Sequence, residues 1–308
     1  MNRLTSLLAA TLALQLLLAV ALFWPRENPG ETDARAALLE LAAGEVDRLI
    51  ISTADDSLLL HRGDEGWILP DYHKLPVQES RVNRVLLDLP ALSRGWPIAG
   101  SANAAARFEV ADEEFQRRVS FYAGEENRGE LFVGTSPGFR KVHVRPAGDE
   151  KVYAVEFNSF ELPVNPDEWL DKTLLQVRDL TRIEGLDFRL ELDGERWLGD
   201  AGQEANTESV DALLSGLGSL RVNGAADIAT ASILAQLDAP PTLSVSAAGG
   251  NYHFRLYEME DSYFIQREDI SVYFSLSAYD YDRLNDVNAE ALFATGDDEE
   301  AEDDDAGE

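Results

Sequence analysis

Two stretches about 130 residues apart, GDEGWIL (63–69) and DGERWLG (193–199), state the same pattern. Each follows short alternating apolar segments and precedes a polar loop and a helix-like segment. The helix-like segments are VQESRVNRVLLDLPALS (77–93) and NTESVDALLSGLGSLRV (206–222). Their apolar residues are Val82, Val85, Leu86, Leu89 and Leu92 in the first, and Val210, Leu213, Leu214, Leu217 and Leu220 in the second. Both sets step by 0, 3, 4, 7 and 10, which is one face of a 3.6-residue helix. Asn206 or Thr207 can cap the second helix, and Pro90 should kink or end the first. An amphipathic stripe alone is generic. The same stripe behind the same Trp turn points to an internal duplication.

The flanking segments extend the repeat. In the first copy VDRLIIST (46–53), SLLLHRG (57–63) and GWIL (66–69) read as strands; in the second, RIEGLD (182–187), FRLELDG (188–194) and RWLG (196–199) do. After each helix come four strand candidates. The first four are RRVSFY (117–122), GELFVG (129–134), KVHVR (141–145) and KVYAVE (151–156); the second four are TLSVSA (242–247), YHFRLY (252–257), SYFIQ (262–266) and SVYFSL (271–276). Short Gly-, Asp- and Asn-rich turns between them favour antiparallel hairpins over crossovers. PDEWLDKTLLQV (166–177) and YDRLNDVNAEALF (281–293) read as closing helices. The expected fold class is α+β: an N-terminal transmembrane helix, then two tandem duplicated modules, each a mainly antiparallel sheet with helices packed on one face.

Residues 4–24, LTSLLAATLALQLLLAVALFW, carry no charge. Twenty-one residues at about 1.5 Å each span roughly the hydrocarbon thickness of a bilayer. Trp24 ends the run where an indole favours the interface, and Arg3 precedes it, so the short N-terminal side is expected to be cytoplasmic. AVA (19–21) also fits a signal-peptide cleavage site, but the apolar run continues past it through Trp24. The expected organisation is a cytoplasmic tip and anchor (1–24), a breaker-rich linker with a short helix over 34–44 (25–44), a first module (45–177), a second module (178–295) and an acidic tail (296–308).

Charge narrows the partners. The net charge is −31, and the last twelve residues carry nine acids. Lysines number only four against 22 arginines. Such a chain suits a salty environment and lacks the basic footprint that nucleic acid requires. With no cysteine, disulfides, thiolate catalysis, Cys-ligated metals and lipoprotein anchoring are excluded.

The string ELFVGTSPGFRKVHVRPAGDEKVYAV (130–155), closed by DEWLDKTLLQV (167–177) and opened by VDRLIIS…LLLHRGDEGWIL, resembles domain-of-unknown-function family 4340 over about residues 44–295. The matching residues are strand cores and turns. The resemblance implies a bacterial inner-membrane protein, single-pass, with its bulk periplasmic, accompanying ABC-type export systems or gliding-type auxiliary transport. It supplies no catalytic residues to carry over, and no cofactor is expected.

Several motifs carry competing readings. GTSPG (134–138) matches the G-x-S-x-G nucleophile elbow, but strands flank it on both sides and Pro137 removes a needed oxyanion-hole N–H, so a hairpin turn is expected. His61, His73, His143 and His253 show no metal-ligand spacing; His143 and His253 are expected to be solvated sheet residues, and no metal site is expected. YDYDRLND (279–286) lacks the glycine and distal glutamate of a calcium loop, so Asp280 or Asp282 is expected to be a helix cap. Strand alternation places Lys141, His143 and Arg145 on one face, with Arg117 or Arg118 near: either a basic docking island or cations paired within the chain. His253, Arg255 and Tyr257 share a face, and Tyr273 falls opposite Val272 and Phe274, which together could form a Tyr-His-Arg contact surface or lie under helices.

The sequence therefore favours a non-catalytic, membrane-anchored envelope protein that binds ABC-type transporter subunits or other envelope proteins. A periplasmic ligand-binding protein for glycan or lipid, using the cleft between its modules, is the alternative. A hydrolase built on Ser136 is a third.

Overall fold

The computed structural model describes residues 36–237 and 242–294, together with Gln15. The rest of the expected membrane span and the acidic tail 296–308 lie outside the described residues. Among the described residues no helix is long and apolar enough to cross a membrane.

The protein is α+β with two antiparallel sheets. The first contains β1 (Arg48–Ser52), β2 (Ser57–Gly63), β3 (Gly66–Leu69), β4 (Leu75–Pro76), β5 (Arg117–Ala123), β6 (Glu126–Val133), β7 (Lys141–Pro146) and β8 (Tyr153–Glu156). The second contains β9 (Leu180–Glu184), β10 (Arg189–Asp193), β11 (Arg196–Gly199), β12 (Gly224–Ala225), β13 (Leu243–Ala247), β14 (Gly250–Met259), β15 (Ser262–Arg267) and β16 (Phe274–Leu276). Their strand orders are β4-β3-β2-β1-β5-β6-β7-β8 and β11-β10-β9-β13-β14-β15-β16-β12. The helices are α1 (Glu79–Ala91), α2 (Ala102–Arg107), α3 (Thr207–Ser219), α4 (Ile228–Leu234), α5 (Ala278–Asn285) and α6 (Ala289–Phe293). Contacts group the described residues into two compact units, one drawn from 36–57 and Arg84–Leu162, the other from Leu58–Asn83, 163–237 and 242–294.

The echoed Trp turns are two-residue hairpins. Gly63 pairs with Gly66 and Arg62 with Trp67 across one. Asp193 pairs with Arg196 and Leu192 with Trp197 across the other. Gly194, the first central residue of its turn, takes φ 66°, which glycine supplies without strain, and Gly66, the first residue after its turn, takes φ 124°. The helical stripes also read true. Val82, Val85, Leu86 and Leu89 of α1 are buried, as are Val210, Leu213 and Leu217 of α3. Asn206 caps α3 by accepting from Ser209 N–H.

In the first unit, strand alternation sends Leu49, Ile51, Val119, Phe121, Leu131, Val133, Val144 and Val155 to one sheet face, all buried. The opposite face carries Phe132, which packs with Ala105 of α2, Val110 and Val152. In the second unit, Ile183, Leu190, Val245, Phe254, Ile265 and Phe274 form a core with α3, α5 and α6. On the other face, Leu234 of α4 packs on Tyr257 and Phe264. Helices on one face only, as the sequence suggested, is therefore corrected for the second sheet. Helices α2 and α4 are too short and irregular in pattern to show in the sequence.

Other expectations fail for local reasons. The helix over 34–44 is absent among the described residues. Ala37 bridges Ser93, and only Ala43–Glu45 form a 3-10 turn. The closing helix over 166–177 reduces to a 3-10 turn, Pro166–Glu168. There Asp171 accepts from Thr173 N–H and Oγ1–H, a local bond that competes with a helix. Its backbone instead serves β4, through Asp171 N–H to Pro76 O at 2.9 Å. The helix over 281–293 splits into α5 and α6, and Asn288 caps the second. The cap of α5 is Ser277, accepting from Asp280 N–H, rather than Asp280 or Asp282.

Candidate functional site

Lys141, His143 and Arg145 do share one face of β7, as alternation requires. That face is not solvated. His143 and Arg145 are each 6% exposed; Lys141 at the strand's start is exposed. Helix α2 and the chain that follows it lie over this face, so Phe108 stacks on the His143 ring at 4.2 Å. His143 Nδ1 meets Thr135 Oγ1 at 2.8 Å. Burial holds its pKa below the ordinary 6.5, assisted by the Arg107 charge and opposed by Thr135. The expectation of a solvated His143 is corrected on this point.

The sign of the pH effect follows. The unfolded chain protonates His143 before the folded one does, so its contribution to stability is complete above about pH 6.5 and declines as pH falls below that. The loss of stability between pH 7.5 and 5.5 is expected to shrink in His143→Gln; thermal melts at the two pH values check this.

Arg145 is spent within the fold. Its Nε–H donates to Val110 O (2.6 Å), Nη1 to Asp149 O (3.1 Å) and Nη2 to Asp112 Oδ1 (2.8 Å). The guanidinium lies 4.5 Å from the Phe132 ring centroid. This planar fork clamps the segment after α2 to the segment after β7. Arg145→Met keeps the stem but strands two carbonyls, and is expected to cost about 2–3 kcal/mol in urea unfolding. Arg145→Lys should recover little of it.

In the second sheet His253, Arg255, Tyr257 and Tyr273 also share one face. Tyr257 is buried beneath α4 and meets Tyr273 edge-on at 5.5 Å. Burial, and then Tyr273, push the Tyr257 hydroxyl's pKa up. His253 Nδ1 lies 2.8 Å from Ser244 Oγ, and Arg255 is 3.9 Å from Glu268. Ordinary cover by a helix thus describes the Tyr257 end of this face, while His253 and Arg255 stay partly exposed.

The GTSPG segment lies between β6 and β7, with no helix after the serine. Ser136 Oγ is within bonding distance of the carbonyls of Gly138 (2.7 Å) and Lys141 (2.6 Å). Its hydroxyl therefore closes the turn. Among the described residues no group of three or more His, Cys, Asp or Glu is arranged to hold a metal.

A polar cluster that the sequence reading missed sits in the second unit. Tyr72 Oη–H donates to Asp167 Oδ1 at 2.5 Å, and Ala225 N–H reaches both oxygens, at 3.1 and 3.2 Å. Lys172 Nζ donates to Asn223 O. Burial, then the Asp167 bond, raise the Tyr72 pKa; burial lowers that of Lys172. A Cβ on Gly224 would meet both Asp167 carboxylate oxygens at 2.5 Å, so only glycine admits this packing. The cluster satisfies the outward backbone groups of β12, which is the edge of its sheet. Nothing local in DYHKLP or NPDEWLDK signals it, because its partners lie 51 to 153 residues apart in the chain.

The first unit holds a cleft of about 580 Å³. It is walled by Arg84, Asp88 and Leu92 on α1's side, Phe139 and Arg140 of the β6–β7 loop, Glu156 at the end of β8, and Phe157, Asn158 and Glu161 after it. Phe139 is 91% exposed, and Phe160, which follows the wall residues Phe157 and Asn158 in the chain, is 85% exposed. Arg84 pairs with Glu161 at 3.3 Å. This site combines apolar surface, both signs of charge and open backbone. It suits an amphipathic polymer chain better than a small rigid molecule.

A family model described as Domain of unknown function (DUF4340) matches residues 67–240. No curated protein and no solved structure matches the chain.

Proposed function

The chain belongs to the DUF4340 family of domains of unknown function, and from that premise we propose that it is a non-catalytic, membrane-anchored envelope protein. It binds partner proteins as an accessory component of an ABC-type export system. The observation that carries the reading is Phe139, an exposed aromatic in the wall of the first unit's cleft. Large apolar side chains held in water at the mouth of a concavity are a feature of contact sites.

Two further features support it. The charge-free segment 4–24 has the length and composition of a membrane anchor, which would hold the modules 45–177 and 178–295 on the periplasmic side. The shared order third-second-first-fourth-fifth-sixth-seventh, in β3-β2-β1-β5-β6-β7-β8 and β11-β10-β9-β13-β14-β15-β16, supports descent of both modules from one copied unit. A short helix before the meander in each, α2 and α4, fits the same history.

Affinity capture of the full-length chain from gently solubilised membranes tests the reading. ABC-type transporter subunits should co-purify, and Phe139→Ser with Phe160→Ser should reduce their recovery. Capture that returns no transport subunit under any condition overturns it.

A further inference from the structure

The two sheets have four edges, and three are closed. At β11, Gly199 N–H bonds Gln203 O and Ala205 N–H bonds Trp197 O. At β12, the Tyr72–Asp167 pair takes Ala225 N–H and Lys172 takes Asn223 O. At β4, Pro76 has no N–H to offer, and its carbonyl accepts from Asp171.

The fourth edge, β8, is closed only at its start. His143 turns both backbone groups toward β6, through His143 N–H to Thr135 O and Gly134 N–H to His143 O. Val142 and Val144 therefore face β8 and pair with Val155 and Tyr153. Val152, Ala154 and Glu156 then point their N–H and C=O groups outward. Val152 is satisfied by Ile98 and Ala99. Ala154 and Glu156 have no backbone partner among the described residues. Edges left open in this way are templates for another strand, and folded proteins ordinarily cover them.

We propose that the β8 edge, with the cleft beside it, docks an extended segment of another protein, basic and apolar in alternation, as an added strand. The open stretch runs straight into Glu156, a cleft wall, so a strand laid on Ala154 and Glu156 would pass Phe139, which lines the same cleft. Its backbone would pair with the outward amides and carbonyls, while alternate side chains meet that aromatic. Charge selects the occupant. Of the cleft's charges, Asp88, Glu156 and Arg140 have no ion-pair partner among the described residues, two acids against one cation, whereas Glu161 is paired with Arg84. A second copy of this chain would bring another −31 and be repelled. The tail 297–308 is acidic and PRENPGETD (25–33) has neither alternation nor free N–H groups at its prolines, so neither fits as an internal occupant.

This deepens the partner-binding reading and rests on it. Its test uses no export complex, so the two fail separately. The full-length chain in mild detergent is panned against a random nine-residue peptide library. Enriched peptides should alternate Lys or Arg with Val, Ile or Tyr. Ala154→Pro removes an outward N–H without touching the β7 ladder, and should weaken the enriched peptides at least tenfold. Phe139→Ser, on an exposed loop, should weaken them about as much and keeps the test valid should the proline variant unfold. Glu156→Lys should shift selection away from basic peptides. No enrichment, enrichment of acidic peptides, or binding indifferent to both Ala154→Pro and Phe139→Ser overturns the proposal. So does a concentration-dependent dimer abolished by Ala154→Pro, which would make a second copy the occupant.

Discussion

Gly134→Ala is expected to destabilise the first unit by about 3 kcal/mol or more, the largest effect of any single methyl group in it. Gly134 has no unusual φ, so backbone strain is not the cause. The segment after α2 crosses directly over it. A Cβ there would stand 2.5 Å from Glu109 O, 2.8 Å from the Glu109 carbonyl carbon, and closer still to Phe108 O. These are backbone atoms and cannot swing away as a side chain could. They are also held in place, because Thr135 N–H donates to Phe108 O at 3.0 Å and Gln116 N–H donates to Glu109 O at 3.2 Å. Relief would require lifting the whole 108–116 segment off the sheet, with the Phe108–His143 stack and the Arg145 clamp. Urea unfolding of Gly134→Ala beside Ser136→Ala separates the two readings of the motif. If GTSPG is a turn under a crossing segment of chain, glycine is the sensitive position. The serine then contributes about 1 kcal/mol through its hydrogen bonds. If the motif is a nucleophile elbow, Ser136→Ala abolishes a measurable esterase activity while leaving the melt unchanged.

That motif illustrates what a chain's own residues disclose. The hairpins, the order of the meanders and the two helical stripes were legible because each rests on a period or a turn residue within a dozen positions. The Trp67 and Trp197 turns are the clearest case. Lys141, His143 and Arg145 were correctly put on one face, because a strand's alternation is local. Whether that face met water was not legible. The answer depends on α2, six residues with no apolar stripe, and on Phe108 and Val110 behind it. The same holds for Tyr257 beneath α4. The expected helix over 166–177 failed for a related reason. Its apolar residues have helical spacing, but Trp169, Leu170 and Asp171 are bound to residues 76–78, some ninety positions earlier. Long-range pairing overrode local propensity. The β8 edge was invisible in the same way, since an edge is defined by what does not pair with it.

Trp169→Ala is expected to cost about 3–5 kcal/mol, because it removes a large side chain that is wholly enclosed and anchors that long-range pairing. The indole Nε1–H donates to Pro163 O at 2.9 Å, and the Arg81 guanidinium stands 5.0 Å from the ring. Arg81 in turn donates to Glu168 O at 2.7 Å, and Gln78 N–H donates to Trp169 O at 2.8 Å. The indole therefore packs between the start of α1 and the 3-10 turn at 166–168, and the backbone on its far side closes the β4 edge. Trp169→Phe keeps most of the volume but leaves Pro163 O without its donor, so an intermediate loss of about 1–3 kcal/mol is expected. The two variants should differ in place as well as size. Loss of the indole frees Leu170 and Asp171 from β4, and native-state hydrogen exchange should show the Gln78 and Asp171 amides exposed first. The α3 amides, held by the Val210–Leu213–Leu217 stripe in the larger core of the unit, should open only with the whole unit. Uniform acceleration of exchange across both groups would mean that Trp169 is ordinary core and that the β4 edge is held by its backbone bonds alone.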